Sequence, residues 1–168
     1  MNKKLAFSLL LLAFIGCGYK PSTYYTKPLL GDKISTQVDI NVKNPTDSVF
    51  LNDALNEAVL AVFNSKVDNK KANSKISLSV GSASVSALDY DKNGYAILYR
   101  AKTSITAYIT DVNNSTYSYS ATGTYDFSID KDSLLSDNIK HNAIKQAFLK
   151  ALQKIEFKIA NRGINDDN

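Results

Sequence analysis

Tyr95-Ala-Ile-Leu-Tyr-Arg-Ala-Lys-Thr-Ser-Ile-Thr-Ala-Tyr-Ile109 decides how this chain folds. Tyr95, Ile97, Tyr99, Ala101, Thr103, Ile105, Ala107 and Ile109 share one parity, while Arg100, Lys102, Ser104 and Thr106 share the other. Successive side chains of a strand point to opposite faces, so the segment is a long strand with one apolar and one polar face. After the turn pair Asn113-Asn114 the same odd parity returns in Tyr117, Tyr119, Ala121, Gly123, Tyr125, Phe127 and Ile129, which makes a second such strand.

Upstream, Ile76, Leu78 and Val80 alternate, and then the apolar set slips to Ala83, Val85 and Ala87. A period of two cannot change parity in a regular strand, so an extra residue, a β-bulge near Gly81-Ser82, is required. Matching Val85 with Ala101 and Ala87 with Tyr99 calls for an odd loop, which Lys92 to Gly94 supplies if Gly94 is left-handed. Before this block, Ile34, Val38, Ile40 and Val42 mark an earlier strand. Asn44-Pro45-Thr46-Asp47-Ser48 then offers a turn and N-caps for a helix over 49–64, whose apolar residues recur at helical spacing. A last helix over 135–160 carries the stripe Ile139, Ala143-Ile144, Ala147-Phe148, Ala151-Leu152, Ile155 and Ile159, with Gly163 as its stop. Residues 18–31, with Pro21 and Pro28, read as an extended tether.

The expectation is therefore an α+β fold of order β-α-β-β-β-α. It is a two-layer sandwich in which a four-stranded sheet, mixed or antiparallel, carries two helices on one face. Residues 33–163 form a single α/β sandwich domain, preceded by a signal peptide (1–16) and a lipidated tether (17–32), and followed by a disordered tail (164–168).

The assignment of the first segments rests on Cys17, the single cysteine. Lys3 and Lys4, the apolar run from Leu5 to Ile15 and the small residue Gly16 have the order of a secretory signal. Phe14-Ile15-Gly16-Cys17 looks like a bacterial lipobox, cut after Gly16 and acylated on Cys17, with Phe14 where Leu is commoner. The run is shorter than the ~20 apolar residues needed to span a bilayer. A buried Cys in a core helix is the competing reading, but residues 5–15 show no amphipathic pattern. More than one acyl chain would hold the mature domain at a membrane surface. Gly18 replaces the Asp that signals inner-membrane retention, which favours the outer membrane.

Composition excludes several classes of function. The formal charge of +4 falls to about +2 once Lys3 and Lys4 leave, and no Lys/Arg stripe is present, so nucleic acid is not an expected partner. Asp89-Tyr-Asp91-Lys-Asn93-Gly94 matches the start of an EF-hand calcium loop, but Arg100 stands where the bidentate Glu belongs and strands flank it. An Asn93-Gly94 hairpin turn explains the same residues. His141 is the single histidine, so a metal centre and a Ser-His triad both lack members. No G-x-S-x-G turn or glycine-rich phosphate loop occurs. The expectation is a protein that is not an enzyme and needs no metal or cofactor.

The polar parity of the sheet is more informative. Arg100, Lys102, Ser104, Thr106, Tyr108, Ser118, Ser120, Thr122, Thr124, Asp126 and Ser128 form a face dense in hydroxyls. It is either the solvated side of an antiparallel sheet or a wall of a wet enclosure such as a large barrel lumen. Near the hairpin tip the same face would gather Leu88, Tyr90, Ala96 and Leu98, either a contact site or scattered exposed residues. Arg100 has two readings as well: a cross-strand ion pair with Asp126, or a ligand for phosphate.

Gly16-Cys17-Gly18-Tyr19-Lys20-Pro21, the element order and the mature length together resemble the LPS-assembly lipoprotein family, LptE. Asn52-Asp-Ala-Leu-Asn-Glu-Ala58, Tyr90-Asp-x-Asn-Gly-Tyr95 with Tyr99-Arg100, and Tyr125-Asp-Phe-Ser-Ile129 look like its Campylobacter-type version. The resemblance implies a non-enzymatic plug of an LptD-like outer-membrane β-barrel that assists barrel assembly and delivery of lipopolysaccharide to the outer leaflet. It also implies lipopolysaccharide contact through basic residues, for which Arg100 and Lys102 are the candidates here. Leu88, Tyr90, Ala96 and Leu98 are the candidate barrel interface.

Overall fold

The computed structural model describes residues 21–40, 45–130 and 134–166; Gly16 and Cys17 lie outside the described residues. The elements, in order, are α1 (Ser22–Leu30), β1 (Lys33–Ile40), α2 (Pro45–Phe63), β2 (Lys66–Val67), β3 (Ser74–Tyr90), β4 (Ala96–Thr110), β5 (Thr116–Ser128) and α3 (Asp137–Asp166). They build one sheet of order β2-β1-β3-β4-β5. β1 runs parallel to β2 and β3, and α2 makes the crossover that a parallel pair requires. β3, β4 and β5 are antiparallel neighbours.

The predicted class is correct, and its inventory needs two corrections. The sheet has five strands rather than four and the described chain three helices rather than two. The fifth strand, β2, is two residues long, too short to show a period in sequence; Lys66 N–H donates to the Asp32 carbonyl and Asp68 N–H to that of Ile34. The third helix, α1, replaces the expected extended tether over 22–30. Pro28 lies inside it and withholds one helix hydrogen bond. Burial outweighs that loss: Thr26, Leu29 and Leu30 are all buried against the core, at about 1.5–3 kcal/mol for a full-sized apolar side chain.

α1 is also a clamp. The Leu29 carbonyl accepts from Val112 N–H (3.0 Å), the Leu30 carbonyl from the Ser74 hydroxyl, and the Gly31 carbonyl from the Ser65 hydroxyl (2.8 Å). Gly163 is where α1 crosses α3. A Cβ there would come within 2.6 Å of the Tyr25 carbonyl oxygen. The expectation that Gly163 ends the last helix is thus corrected: α3 continues to Asp166, and the glycine serves close approach. Gly123 does the same on β5, where a Cβ would overlap the Ala147 carbonyl of α3.

The helices cover the face predicted for them. Ala101, Thr103, Ile105, Ala107 and Ile109 of β4 are buried; Ile105, Ala107 and Ile109 pack with Ile76, Leu78 and Val80 of β3, Leu51, Leu55 and Phe63 of α2, and Phe148, Leu152, Ile155 and Ile159 of α3, while Ala101 packs with Ala143 and Ala147 of α3. The parity slip in β3 falls between Val80 and Ser82, so the bulge stands at Gly81 as expected. α2 closes on left-handed Asn64 (φ 50°), with Ser65 N–H bonded to the Val59 carbonyl, a common helix ending.

Candidate functional site

The candidate site is the uncovered face of the sheet and the β3–β4 hairpin that extends it. Pairs of facing side chains bridge β4 and β5 on that face, a longer Thr110–Thr116 contact (3.5 Å) among them. Arg100 stands opposite Asp126, Ser104 opposite Thr122 and Thr106 opposite Ser120. Arg100 Nε donates to Asp126 Oδ1 and Nη2 to Oδ2, both at 2.6 Å, a fork-on-carboxylate geometry. The Ser104–Thr122 and Thr106–Ser120 hydroxyl pairs lie at 2.9 and 2.8 Å. With Ser79 and Gly81 these hydroxyl residues line a shallow trough of about 300 Å³. The Arg100 hydrogen bond, more than its charge, holds the Asp126 carboxyl below the usual range, and the same bond raises the Arg100 guanidinium further.

Of the two cations singled out in the sequence, Arg100 is therefore engaged across the strands. Lys102, exposed and opposite Thr124, has no ion-pair partner among the described residues. They are two residues apart on one strand and one face, which brings their charges together.

The hairpin tip has the loop expected of it. Val85 pairs with Ala101 and Ala87 with Tyr99, and Lys92–Gly94 forms the loop with Gly94 left-handed (φ 85°). Asp91 Oδ1 accepts from the backbone N–H groups of Asn93 and Tyr95, each at 2.9 Å. This carboxylate orders the turn in which the calcium-like string lies. Tyr90 pairs with Ala96, and Leu98 follows two residues along the same face of β4. Leu88 falls in a register shift between Ala87 and Asp89, which the sequence did not signal. Leu88 and Tyr90 are exposed, at 42% and 56%, whereas Ala96 and Leu98 are half-buried. Tyr95 is more exposed still, at 66%, although its odd parity assigns it to the helix side. The helices do not reach that far.

A second hollow, of about 440 Å³, separates the end of β5 from the start of α3 and is lined mainly by Tyr125, Phe127, Ile129, Ile139 and Ala143. Tyr99, Phe127 and Tyr125 stack in sequence beside it, at centroid distances of 5.7 and 6.2 Å, with Lys150 over the Tyr125 ring. Among the described residues its rim carries one carboxylate, Asp130, and no constellation for acid–base chemistry. His141 is half-buried near Asp137, whose carboxyl is lowered chiefly by a hydrogen bond from Lys140. Among the described residues no three His, Cys, Asp or Glu side chains converge on a point that could hold a metal ion.

No family model matches the chain. No curated protein matches it either. Solved structures do. A proposed lipoprotein of Caulobacter crescentus is similar over 86% of this chain and 96% of its own, at 14% identity and a TM-score of 0.53. Lipoprotein B of Nitrosomonas europaea (14% identity, 80% and 88% covered, TM-score 0.49) and rare lipoprotein B of Shewanella oneidensis (12%, 80% and 92%, 0.42) are weaker likenesses. At 14% identity the Caulobacter likeness establishes the fold alone, one that a proposed bacterial lipoprotein adopts.

Proposed function

We propose that this chain is an outer-membrane lipoprotein, anchored through Cys17, whose mature domain seats in an LptD-like β-barrel, assists its assembly and contributes to delivery of lipopolysaccharide. The observation that carries this reading is the two-sidedness of the sheet. One face is packed by helices; the other is an uncovered, hydroxyl-paired wall continuous with an exposed apolar hairpin tip. A wall of paired Ser and Thr presents hydrogen-bonding groups without the cost of stripping water from charges, which suits contact with the polar, water-filled interior of a barrel. Leu88, Tyr90 and Tyr95 add apolar contact at one end, as aromatic residues commonly do at interfaces. The lipobox reading of Gly16-Cys17 and the resemblance of sequence strings to LptE supply the location and the kind of barrel.

Lipopolysaccharide carries phosphates, so the adjacent Arg100 and Lys102 are its proposed contacts. Lys102 is the freer of the two, while Arg100 would have to share its fork with Asp126.

The test is recovery of the tagged, lipidated protein from detergent-solubilised outer membranes. One large β-barrel in roughly equal amount is the expected result. Recovery alone, or with soluble periplasmic proteins, would replace this reading with that of a different lipoprotein binding module. Replacing Arg100 and Lys102 together with Ala should weaken lipopolysaccharide binding by the isolated domain at low salt; unchanged binding removes both from the site.

A further inference from the structure

Positive charge gathers at one end of this molecule. Lys33 and the segment from Lys66 to Lys75 bring five lysines and one carboxylate, Asp68, to the end of the sheet where β1 begins. That surplus exceeds the formal charge of about +2 of the whole mature chain, so the remainder carries a net negative formal charge. No run in the sequence announces the cluster, because Lys33 joins it only through the β1–β2 pairing.

The fold holds these charges together at some cost. Lys33 and Lys66 are partners in register, and like charges facing each other across two strands repel. Asp68 relieves one of them. Its Oδ2 accepts from Lys33 Nζ at 2.9 Å, and its Oδ1 accepts from the Lys70 and Lys71 N–H groups at 3.1 and 3.0 Å. Asn69 pins the same loop to β1, its Oδ1 accepting from Thr36 N–H and from the Ser35 hydroxyl. Lys75 stands in register with Ser35. Lys66, Lys70, Lys71 and Lys75 are exposed and have no ion-pair partner among the described residues. A well-tied loop therefore displays four uncommitted cations.

This is also the end at which the chain arrives from its lipid anchor. The Leu30 carbonyl accepts from Ser74 and the Gly31 carbonyl from Ser65, so α1 ends against β2 and the start of β3. The nine residues of α1 cover about 13 Å, and the four peptide steps from Pro21 back to Cys17 can reach no more than about 14 Å. An acylated Cys17 thus stays within roughly 30 Å of the end of α1. The hairpin tip lies at the far end of β4, whose 15 residues span about 50 Å. Val67 and Val112 are both exposed and add apolar surface at the lysine end.

We propose that this end of the domain rests on the bilayer that holds the acyl chains, with Lys66, Lys70, Lys71 and Lys75 against the phosphates of anionic phospholipid headgroups. The proposal goes beyond the barrel reading and rests on its lipid anchor alone. Lysine is a compact, strongly hydrated charge on a flexible stem, suited to a mobile headgroup layer rather than to a fixed fork. Its attraction to an anionic surface is worth roughly fivefold in partition per side chain and adds to the hold of the acyl chains. Lipopolysaccharide has its own proposed contacts, Arg100 and Lys102, eight or more residues along β4 from Thr110, the partner of Lys75.

The test places the purified acylated protein in vesicles. With Cys17 consumed by its acyl chains, a cysteine introduced as Asn73→Cys or Asn93→Cys is the single site for a fluorescent label, one at each end of the sheet. The vesicles contain phosphatidylethanolamine, phosphatidylglycerol and a nitroxide headgroup quencher. The label at 73 should be quenched at least fivefold more than the label at 93. This bias should fall severalfold in phosphatidylcholine vesicles, at high salt, and in the Lys70→Ser, Lys71→Ser pair. Removing as much charge at the far end, with Lys92→Ser and Lys140→Ser, should leave it unchanged. Equal quenching at the two ends, or a bias indifferent to lipid charge and to Lys70 and Lys71, overturns the proposal and leaves the anchor standing. A protein that vesicles do not retain refutes the anchor and the proposal together. A bias that appears only when lipopolysaccharide replaces phosphatidylglycerol would assign the lysines to that glycolipid and overturn the surface named here.

Discussion

The loop joining β3 to β4 and the loop joining β4 to β5 follow one plan. Each begins with an aspartate whose Oδ1 accepts two backbone N–H groups at 2.9 Å, from Asn93 and Tyr95 in one and from Asn113 and Ser115 in the other. Each then places a left-handed residue three positions after that aspartate, Gly94 at φ 85° and Asn114 at φ 63°. Their surroundings differ. Asp111 is buried and Val112 N–H is bonded to the Leu29 carbonyl of α1, so the second loop is a packed corner. The first loop projects, flanked by exposed Leu88, Tyr90 and Tyr95. Turn chemistry thus sets the shape of a hairpin, while neighbours decide whether it is a corner or a probe. The projecting end carries exposed apolar side chains outside the described core, and the proposed barrel contact rests on them.

The largest expected effect breaks the sealed end. Gly163→Val drives a side chain into the Tyr25 carbonyl and the Leu29 side chain and should lift α1, costing about 3 kcal/mol and lowering Tm by roughly 10 °C. Gly94→Val at the projecting end meets nothing within 4 Å and should cost about 1–2 kcal/mol, from left-handed strain alone. Equal losses in urea melts would show that α1 does not seal that end.

The paired aspartates give a finer contrast. Asp111→Ala leaves two backbone donors without their acceptor in a buried site and should cost about 2 kcal/mol, whereas Asp91→Ala, open to water, should cost under about 1 kcal/mol. Leu88→Ser and Tyr90→Ser together should move stability by no more than about 0.5 kcal/mol, because exposed side chains bury little to lose. The same pair should reduce barrel recovery severalfold. A drop in stability without loss of barrel would turn the tip into an ordinary packed element.

The sheet was readable because β4 and β5 keep one parity over more than a dozen residues, and because Val80 to Ala83 breaks parity where the bulge lies. β2 was not readable, since two residues carry no period. α1 was misread because Pro21 and Pro28 weigh heavily in local propensity, while its stability comes from tertiary burial and from carbonyls caught by Val112, Ser74 and Ser65. Gly163 was misread for a related reason: a glycine ending a helix and a glycine admitting a neighbouring backbone look alike in sequence. Within the candidate site, the Arg100–Asp126 pairing followed from register arithmetic. The exposure of Tyr95 did not, because parity assigns a face but not how far the covering helices extend.

The smallest effect concerns the ion pair that lies between the two ends of β4. Its fork holds the Asp126 carboxyl below its ordinary value, with lesser help from the Arg100 and Lys150 charges. An acid whose folded pKa is depressed adds stability above its unfolded pKa and loses that contribution as pH falls through the folded value. Arg100→Ala should therefore return the Asp126 titration, followed by carboxyl NMR, upward toward the ordinary range and flatten the acid limb of the stability profile. Because both side chains are nearly half exposed, Tm at neutral pH should hardly move. Asp126→Asn provides the complementary measurement. It releases the guanidinium from its carboxylate, so if Arg100 meets lipopolysaccharide phosphate, binding at low salt should tighten in Asp126→Asn and relax again in the Asp126→Asn, Arg100→Ala double variant. Binding indifferent to both, yet lost in Lys102→Ala, would leave Arg100 as a strand-to-strand fastener and shift the phosphate contact to Lys102.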